Sequence, residues 1–269
     1  MDSPNLQNIF DNEAFFAGYA ALRKNPANYN IQIEHPAMEA LLPDLDGKSV
    51  LDLGCGFGEN CETYRKLGAR EVLGIDLSEK MLAVARAEHS GSGIAYRRMD
   101  MTEIASLNRQ FDVVVSSLAI HYIRDYASFL RDICSCLAPQ GIFLYSQEHP
   151  LVTAPQAGPD YAFDPQTGAP LYYRLDHYAC GGERSVEWFV EDVRKYHRTF
   201  SELVNTILQT GFRILQMEEP VPPPEMVQAY PAMEKEYHKP SFLIFKLQKA
   251  ADGLGGGSPT RLLNREGRS

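Results

Sequence analysis

Short apolar runs and amphipathic stretches alternate along residues 45–147. The run "GKSVLDLGCG" holds Val50, Leu51 and Leu53 with almost no polar relief, as expected of a strand buried on both faces. "GENCETYRKLG" follows as a helix ending at Gly68. "REVLGIDLS" is the next strand. Ser78 then caps the helix "SEKMLAVARAEH", whose Met81, Leu82 and Ala85 share one face. "IAYRRMDM" and "FDVVVSSLAI" predict two more strands. "YASFLRDICSCLAPQG" predicts a helix stopped by Pro139 and Gly141, and "GIFLYSQEHP" a fifth strand. Strands separated by helices of this length require right-handed crossovers and a mostly parallel sheet.

The alternation breaks at residue 151. Residues 151–195 are rich in Pro, Gly, Tyr and Asp and predict a lid insert, with a hairpin within "CGGERSVEWFVEDVRKYHRT". Thr199 and Glu202 form a capping box that opens the helix "SELVNTILQTG". The strand "FRILQMEEP", a proline-rich connector "PVPPPEM" and the strand "SFLIFKLQK" follow, the two strands predicting an antiparallel pair at the sheet edge. Residues 1–40 predict a helical cap of two short helices around the polar break "RKNPANYN". The main α/β domain then occupies 41–249, and the Gly-rich stretch 250–269 reads as a flexible tail.

The first strand runs directly into "GCGFG", with glycines at 54, 56 and 58. Such a turn sits at the carboxyl edge of a parallel sheet, where these folds bind ligands. Glycine permits positive φ and close backbone approach, and the next helix presents unpaired N–H groups. The dinucleotide fingerprint requires a further glycine at position 59, which is Glu here. A carboxylate there repels a pyrophosphate, so the turn suits a ligand without phosphates. Asp52, just before the turn, adds negative charge. Asp76 ends the second strand, 22 residues after Gly54, where an acid accepts ribose hydroxyls. Asp100 ends the third, beside Met101, and is placed to accept from an adenine amine.

Composition narrows the function classes. The chain has 269 residues, 26 Lys plus Arg and 35 Asp plus Glu, a formal charge of −9. The basic residues are scattered, which argues against a nucleic-acid partner. No run approaches the roughly 20 apolar residues of a membrane span, and the N-terminus lacks a signal-peptide pattern, so a cytoplasmic location is expected. Five unevenly spaced cysteines argue against a disulfide framework. No histidine pair has metal-ligand spacing on one element, so no metal is expected.

"VLDLGCGFG", "GIDLSEKMLAVAR", "RRMDM", "FDVVVSSLAIHYI" and "FLRDICSCLAPQGIFLYS" together resemble the successive motifs of the class I S-adenosylmethionine-dependent methyltransferases, most closely the type 11 small-molecule group. The resemblance is strong over 45–147 and looser over 196–249. It implies a Rossmann-like seven-stranded, mostly parallel sheet with a reversed C-terminal strand pair, and S-adenosyl-L-methionine as cofactor. It further implies that Gly54 and Gly56 pass the methionine part and that Asp52 supports its amino group. Asp76 would hold the ribose, Leu77 would pack on adenine, and Asp100 with the Met101 backbone would recognise the adenine edge. Ser117 would offer its carbonyl to the ammonium.

Methyl transfer asks the enzyme mainly to align the acceptor and exclude water. Three side chains are candidates for the chemistry. His121 follows the fourth strand and faces the reaction centre or caps the next helix. His149 follows the fifth strand, with Glu148 beside it to orient it, and faces the same edge or serves as a turn residue before Pro150. Tyr19, in "YAALR", reaches the methyl region or packs in the core. His197 lines the acceptor pocket or is structural. Tyr161, Phe163, Tyr172, Tyr173, Tyr178, Trp188 and Phe189 in the insert suit a flat or apolar small-molecule acceptor, or glue the lid to the sheet. Three other readings stand beside this one: a protein or RNA methyltransferase, a catalytically silent S-adenosylmethionine binder and a nicotinamide oxidoreductase. The acidic balance and the absence of an Asn/Asp-Pro-Pro-aromatic motif after the fourth strand weigh against nucleic acid. Glu59 weighs against the oxidoreductase.

Overall fold

A computed structural model describes residues 8–156, 158 and 160–251; the tail expected over 250–269 lies outside them from residue 252 on. The cap begins with helix α1 (Glu13–Arg23), whose N-cap Asn12 accepts the N–H groups of Ala14 and Phe15. The polar break is followed by one turn of π-helix (Asn30–Glu34) that runs straight into α2 (His35–Leu41). The alternation then proceeds as expected through β1 (Ser49–Leu53), α3 (Glu59–Lys66), β2 (Glu71–Asp76), α4 (Glu79–Glu88), β3 (Ile94–Arg98) and β4 (Phe111–Ser116). Ser78 caps α4 by accepting the Met81 N–H at 3.1 Å.

Helix α5 (Tyr126–Cys136) ends earlier than Pro139 predicts, because β5 (Leu137–Glu148) begins at the next residue. Leu137 pairs with Phe111 across the sheet, and pairing takes the residue from the helix. After α6 (Pro150–Thr153) the insert forms two separate hairpins, β6 (Tyr161–Phe163) with β7 (Pro170–Tyr173) and β8 (Gly182–Trp188) with β9 (Val190–His197). Only the second was predicted. Helix α7 (Phe200–Gln209), capped by Thr199 as expected, leads to β10 (Phe212–Glu218). The proline-rich connector carries α8 (Pro224–Ala229) and a 3-10 turn (Pro231–Tyr237), each opened by a proline at its first positions. β11 (Phe242–Lys249) closes the fold.

The main sheet has seven strands in the order β10-β11-β5-β4-β1-β2-β3. β1 to β5 run parallel, and β11 is antiparallel to both β5 and β10. One face packs Leu51, Leu53, Phe143 and Tyr145 against α5 and α7. The other packs Val50, Val113 and Leu144 against α2, α3 and α4. β1 is buried at every position, which is why it reads as a continuous apolar run broken only by Asp52. The carboxyl ends of β1, β2, β4 and β5 therefore open on one edge, beneath the cap and the second hairpin. No described helix is long and apolar enough to cross a membrane.

Candidate active site

One cavity of about 570 Å³ lies on that edge. Gly54 and Gly56 form part of its floor at φ of 68° and 53°. A Cβ at Gly54 would stand 2.9 Å from the Ala119 methyl, so the left-handed backbone and the close approach both require glycine. Asp76 reaches back across the turn. One of its oxygens accepts the Gly56 N–H at 2.9 Å and the other the Ser78 N–H at 2.8 Å. Burial pushes its carboxyl upward against these bonds. Each oxygen keeps a lone pair for a ligand hydroxyl.

Leu77, Met81, Met99 and Met101 wall an apolar slot beside Asp76, with Asp100 at its edge. Asp100 caps the next 3-10 turn by accepting the Thr102 N–H at 2.8 Å. Ser117 and His121 also line the cavity. Asp52 does not. It is buried below the turn, accepts the Cys61 thiol at 3.3 Å, and burial raises its pKa to about 7.

The far end of the cavity is closed by α1 and by the tip of the second hairpin. Tyr19, Tyr122 and Trp188 line this end with His121 and Glu148. Trp188 meets Phe15 and Tyr19 edge-on at 5.1 and 6.2 Å. Burial raises the Tyr19 pKa, so the phenol stays protonated. Glu148 accepts from the Lys195 ammonium at 2.5 Å; burial works against its charge, and the basic groups around it, Lys195 first, together hold its carboxyl below the usual range. His121 is buried with its pKa pushed down to about 4 by burial. Its Nδ1 accepts the Glu148 N–H at 3.3 Å, which assigns the proton to Nε2. The ring is thus a neutral N–H donor.

His149 is not among the cavity-lining residues. Its Nδ1 accepts the Leu151 N–H at 3.0 Å and its Nε2 donates to Glu219 at 2.7 Å, so it ties the end of β5 to the loop after β10. His197 is likewise occupied: it donates to the Tyr178 carbonyl at 2.8 Å and accepts from Thr153 at 2.8 Å. Among the described residues no group of three or more His, Cys, Asp and Glu is placed to hold a metal. Two cavity residues went unnoticed in the sequence. Arg23, one turn after Tyr19, pairs with Glu59. Glu34, at the end of the π-turn, accepts the Ser117 hydroxyl at 2.8 Å and lines a separate, adjoining cavity. The spacing of Tyr19 and Arg23 could have flagged Arg23. No sequence signal marks a π-turn.

The donor set fits S-adenosylmethionine. Asp76 and Asp100 suit ribose and adenine, and the methionine-walled slot suits a flat ring. The acid at the start of α3 suits a cationic ligand with no phosphate. Residues 51–145 match the family model described as a methyltransferase domain. A Haemophilus influenzae protein whose description assigns it no function is 36% identical over 255 residues, covering 91% of this chain and 98% of that one. The crystal structure of an S-adenosylmethionine dependent methyltransferase from Mesorhizobium loti is 37% identical with a TM-score of 0.74, covering 85% of this chain and all of that one. A ubiquinone biosynthesis O-methyltransferase of a Methylobacterium species is 34% identical over 112 residues, only 40% of this chain and 45% of that enzyme. With this fold, this site and these relatives, the chain belongs to the class I S-adenosylmethionine-dependent methyltransferases.

Proposed function

We propose that this enzyme methylates a small, flat or largely apolar acceptor held between the cofactor and the tip of the β8–β9 hairpin. One observation carries the reading. A single cavity runs from Asp76 and Asp100 to His121, Tyr122 and Trp188, and α1 and the hairpin cover its far end. A volume of about 570 Å³ is of the size that takes a cofactor and a small second molecule. The cover speaks against a folded RNA or protein as acceptor.

In this reading Asp76 accepts the ribose hydroxyls, Leu77 and Met101 sandwich the adenine, and Asp100 accepts from its amine. Gly54 and Gly56 let the methionine chain pass, and Ser117 turns its carbonyl towards the same chain. Asp52 acts from below, by holding Cys61 against the turn rather than by touching ligand. The bound cofactor supplies the activated methyl group. Tyr19, Tyr122 and Trp188 exclude water and hold the acceptor's apolar part. His121 donates a hydrogen bond from its Nε2–H to an acceptor oxygen, which keeps a second lone pair for in-line attack. Holding its proton on Nε2, the ring is an orienting donor and not the base. A protonated acceptor would lose its proton towards Glu148 or to water after transfer.

Calorimetric titration with S-adenosylmethionine, S-adenosylhomocysteine and NADH tests the reading. Micromolar binding of the first two with none of NADH is expected, and Asp76→Asn should weaken it at least ten-fold while the protein stays folded. Binding of NADH alone would overturn the reading.

A further inference from the structure

One end of the cavity suits the cofactor, so the acceptor must bind at the other. Two polar side chains of opposite hydrogen-bonding character stand there, His121 and Glu148. They are fixed against each other through the backbone: His121 Nδ1 accepts the Glu148 N–H at 3.3 Å, which leaves Nε2 as a donor. Glu148 ends β5 and divides its two oxygens. Oε1 accepts from the Lys195 ammonium at 2.5 Å. Among the described residues Oε2 has no hydrogen-bond partner, and it is not a buried orphan: the Glu148 side chain keeps 21% exposure and lines the cavity.

Glu148 serves as an acceptor only while it is charged. Burial opposes that charge, and the basic groups around it, Lys195 first, together outweigh burial. Lys195 is itself buried, with its Nζ 5.2 Å from the Trp188 ring centroid at the tip of the β8–β9 hairpin. His121 and Lys239, the latter from the segment before β11, also act on the carboxyl, and Tyr122 feels its charge. A wall with one N–H donor and one carboxylate acceptor matches a hydroxyl. The hydroxyl oxygen accepts from Nε2–H with one lone pair, donates its proton to Oε2, and keeps the second lone pair for the methyl carbon. A neutral amine has one lone pair, so accepting from His121 would occupy the pair that must attack. An ether has no proton for Oε2.

We propose that the acceptor is a phenol-type hydroxyl on a flat ring, and that Glu148 is the catalytic residue that takes its proton. The proposal rests on the methyltransferase reading and names the substrate class of the same site. The flat ring follows from Tyr19, Tyr122 and Trp188, which form an aromatic wall around this polar pair. As the acceptor oxygen bonds to the methyl carbon that the bound cofactor supplies, the carbon–sulfur bond breaks with its electron pair on sulfur, and the O–H proton passes to Glu148 Oε2. Even a weakly basic carboxylate suffices, because a phenol oxygen gaining a methyl group becomes a far stronger acid than a carboxylic acid. The proton then leaves to water with the departing product.

4-Nitrophenol tests this, because it is a flat phenol whose yellow anion predominates in water at pH 8. The Glu148 carboxylate accepts from the hydroxyl and repels the anion, whereas the His121 N–H and the cavity residues Arg124 and Arg194 favour the anion. The neutral bound form is therefore the mark of Glu148. Difference spectra are recorded at pH 8 on wild-type protein saturated with S-adenosylhomocysteine, and binding should bleach the yellow band. The Glu148→Gln complex should keep the band. At pH 6 the wild-type complex should bind 4-nitrophenol about ten-fold or more tightly than 4-nitroanisole, which has no proton to donate, or 4-nitroaniline, whose nitrogen is a poor partner for the His121 donor. A yellow band kept by the wild-type complex, equal bleaching by Glu148→Gln, or equal affinity for the anisole or the aniline would overturn the proposal. So would failure of the S-adenosylhomocysteine complex to bind 4-nitrophenol at millimolar concentration. If Glu148→Gln does not fold, the wild-type spectrum and the 4-nitroanisole comparison still decide. Failure of the wild-type protein to bind S-adenosylhomocysteine at all would instead remove the methyltransferase reading on which the proposal rests.

Discussion

Glu34 and Asp52 are carboxyl groups with little water around them, and burial raises both pKa values to about 7. A raised pKa means that the folded state holds a proton that the unfolded chain releases near pH 4. The stability they allow is fully present below about pH 4 and is lost as pH rises to about 7, where the native groups must ionise as well. Each shift corresponds to on the order of 3 kcal/mol, and the two groups repel each other, so their effects do not add. Denaturant unfolding should show wild-type stability falling between pH 5 and pH 7.5. Glu34→Gln should be more stable than wild type at pH 8 by on the order of 2 kcal/mol, with the difference gone by pH 4. A Glu34→Gln protein less stable at pH 8 would mean that the carboxylate's two serine bonds outweigh its burial. His121 makes the opposite kind of prediction. Because its ring is neutral and donates from Nε2, turnover between pH 5.5 and 8 should carry no inflection from this residue. His121→Ala should lower turnover about 10- to 100-fold with cofactor affinity unchanged, and His121→Gln, which keeps a donor, should recover part of the loss. A lost inflection near pH 6.5 in His121→Ala would restore the ring as a base. That Asp76, Asp100, Gly54 and Gly56 share one edge was legible in the chain, because each stands at or shortly after the end of a parallel strand. The tautomer of His121 was not, because it depends on a backbone N–H 27 residues away.

At the scale of elements, the parallel strands and the helices between them could be read from hydrophobic pattern, caps and glycines. The misreadings have separate causes. The stop at Pro139 failed because β5 captured Leu137, and Gln140 absorbs the local turn at φ of 63°. The connector "PVPPPEM" was read as rigid loop, but proline is acceptable in the first turn of a helix, and α8 begins within it at Pro224. The β6–β7 hairpin carries no strict alternation and was missed. The β8–β9 hairpin was anticipated, and its tip reaches across to α1. Phe189 lies so close to Gly18 that a Cβ there would stand 2.6 Å from its ring. Phe15 meets both Trp188 and Phe189 edge-on at 5.1 and 5.5 Å. These aromatic contacts hold the cover of the site while the seven-stranded sheet stands independently of them. Trp188→Ala should therefore speed hydrogen exchange in β8, β9 and α1 about ten-fold or more, with the amides of β1, β4 and β5 unchanged. Equal acceleration in the central strands would mean that the hairpin belongs to the same cooperative unit as the sheet.

For the whole molecule, the fold agrees with that of the Mesorhizobium loti methyltransferase. The central sheet with its two apolar faces was determined by sequence alone: β1, most of β4 and the later part of β5 are apolar enough to need cover on both faces. The position of the glycine turn followed, and with it Asp76, Asp100 and the class of cofactor. Tertiary structure decided what local pattern does not encode. It set His149 and His197 into structural hydrogen bonds away from the cavity, and it left His121 inside. It placed Asp52 under the turn. It brought Arg23 and Glu34 from the cap to within reach of Ser117 and Ser146, 83 and 112 residues from Glu34 in the chain. A strand end is a local property written in adjacent residues. A contact built from a cap, a β4 loop and a β5 serine exists only once those segments are packed, and no periodicity in any one of them announces it.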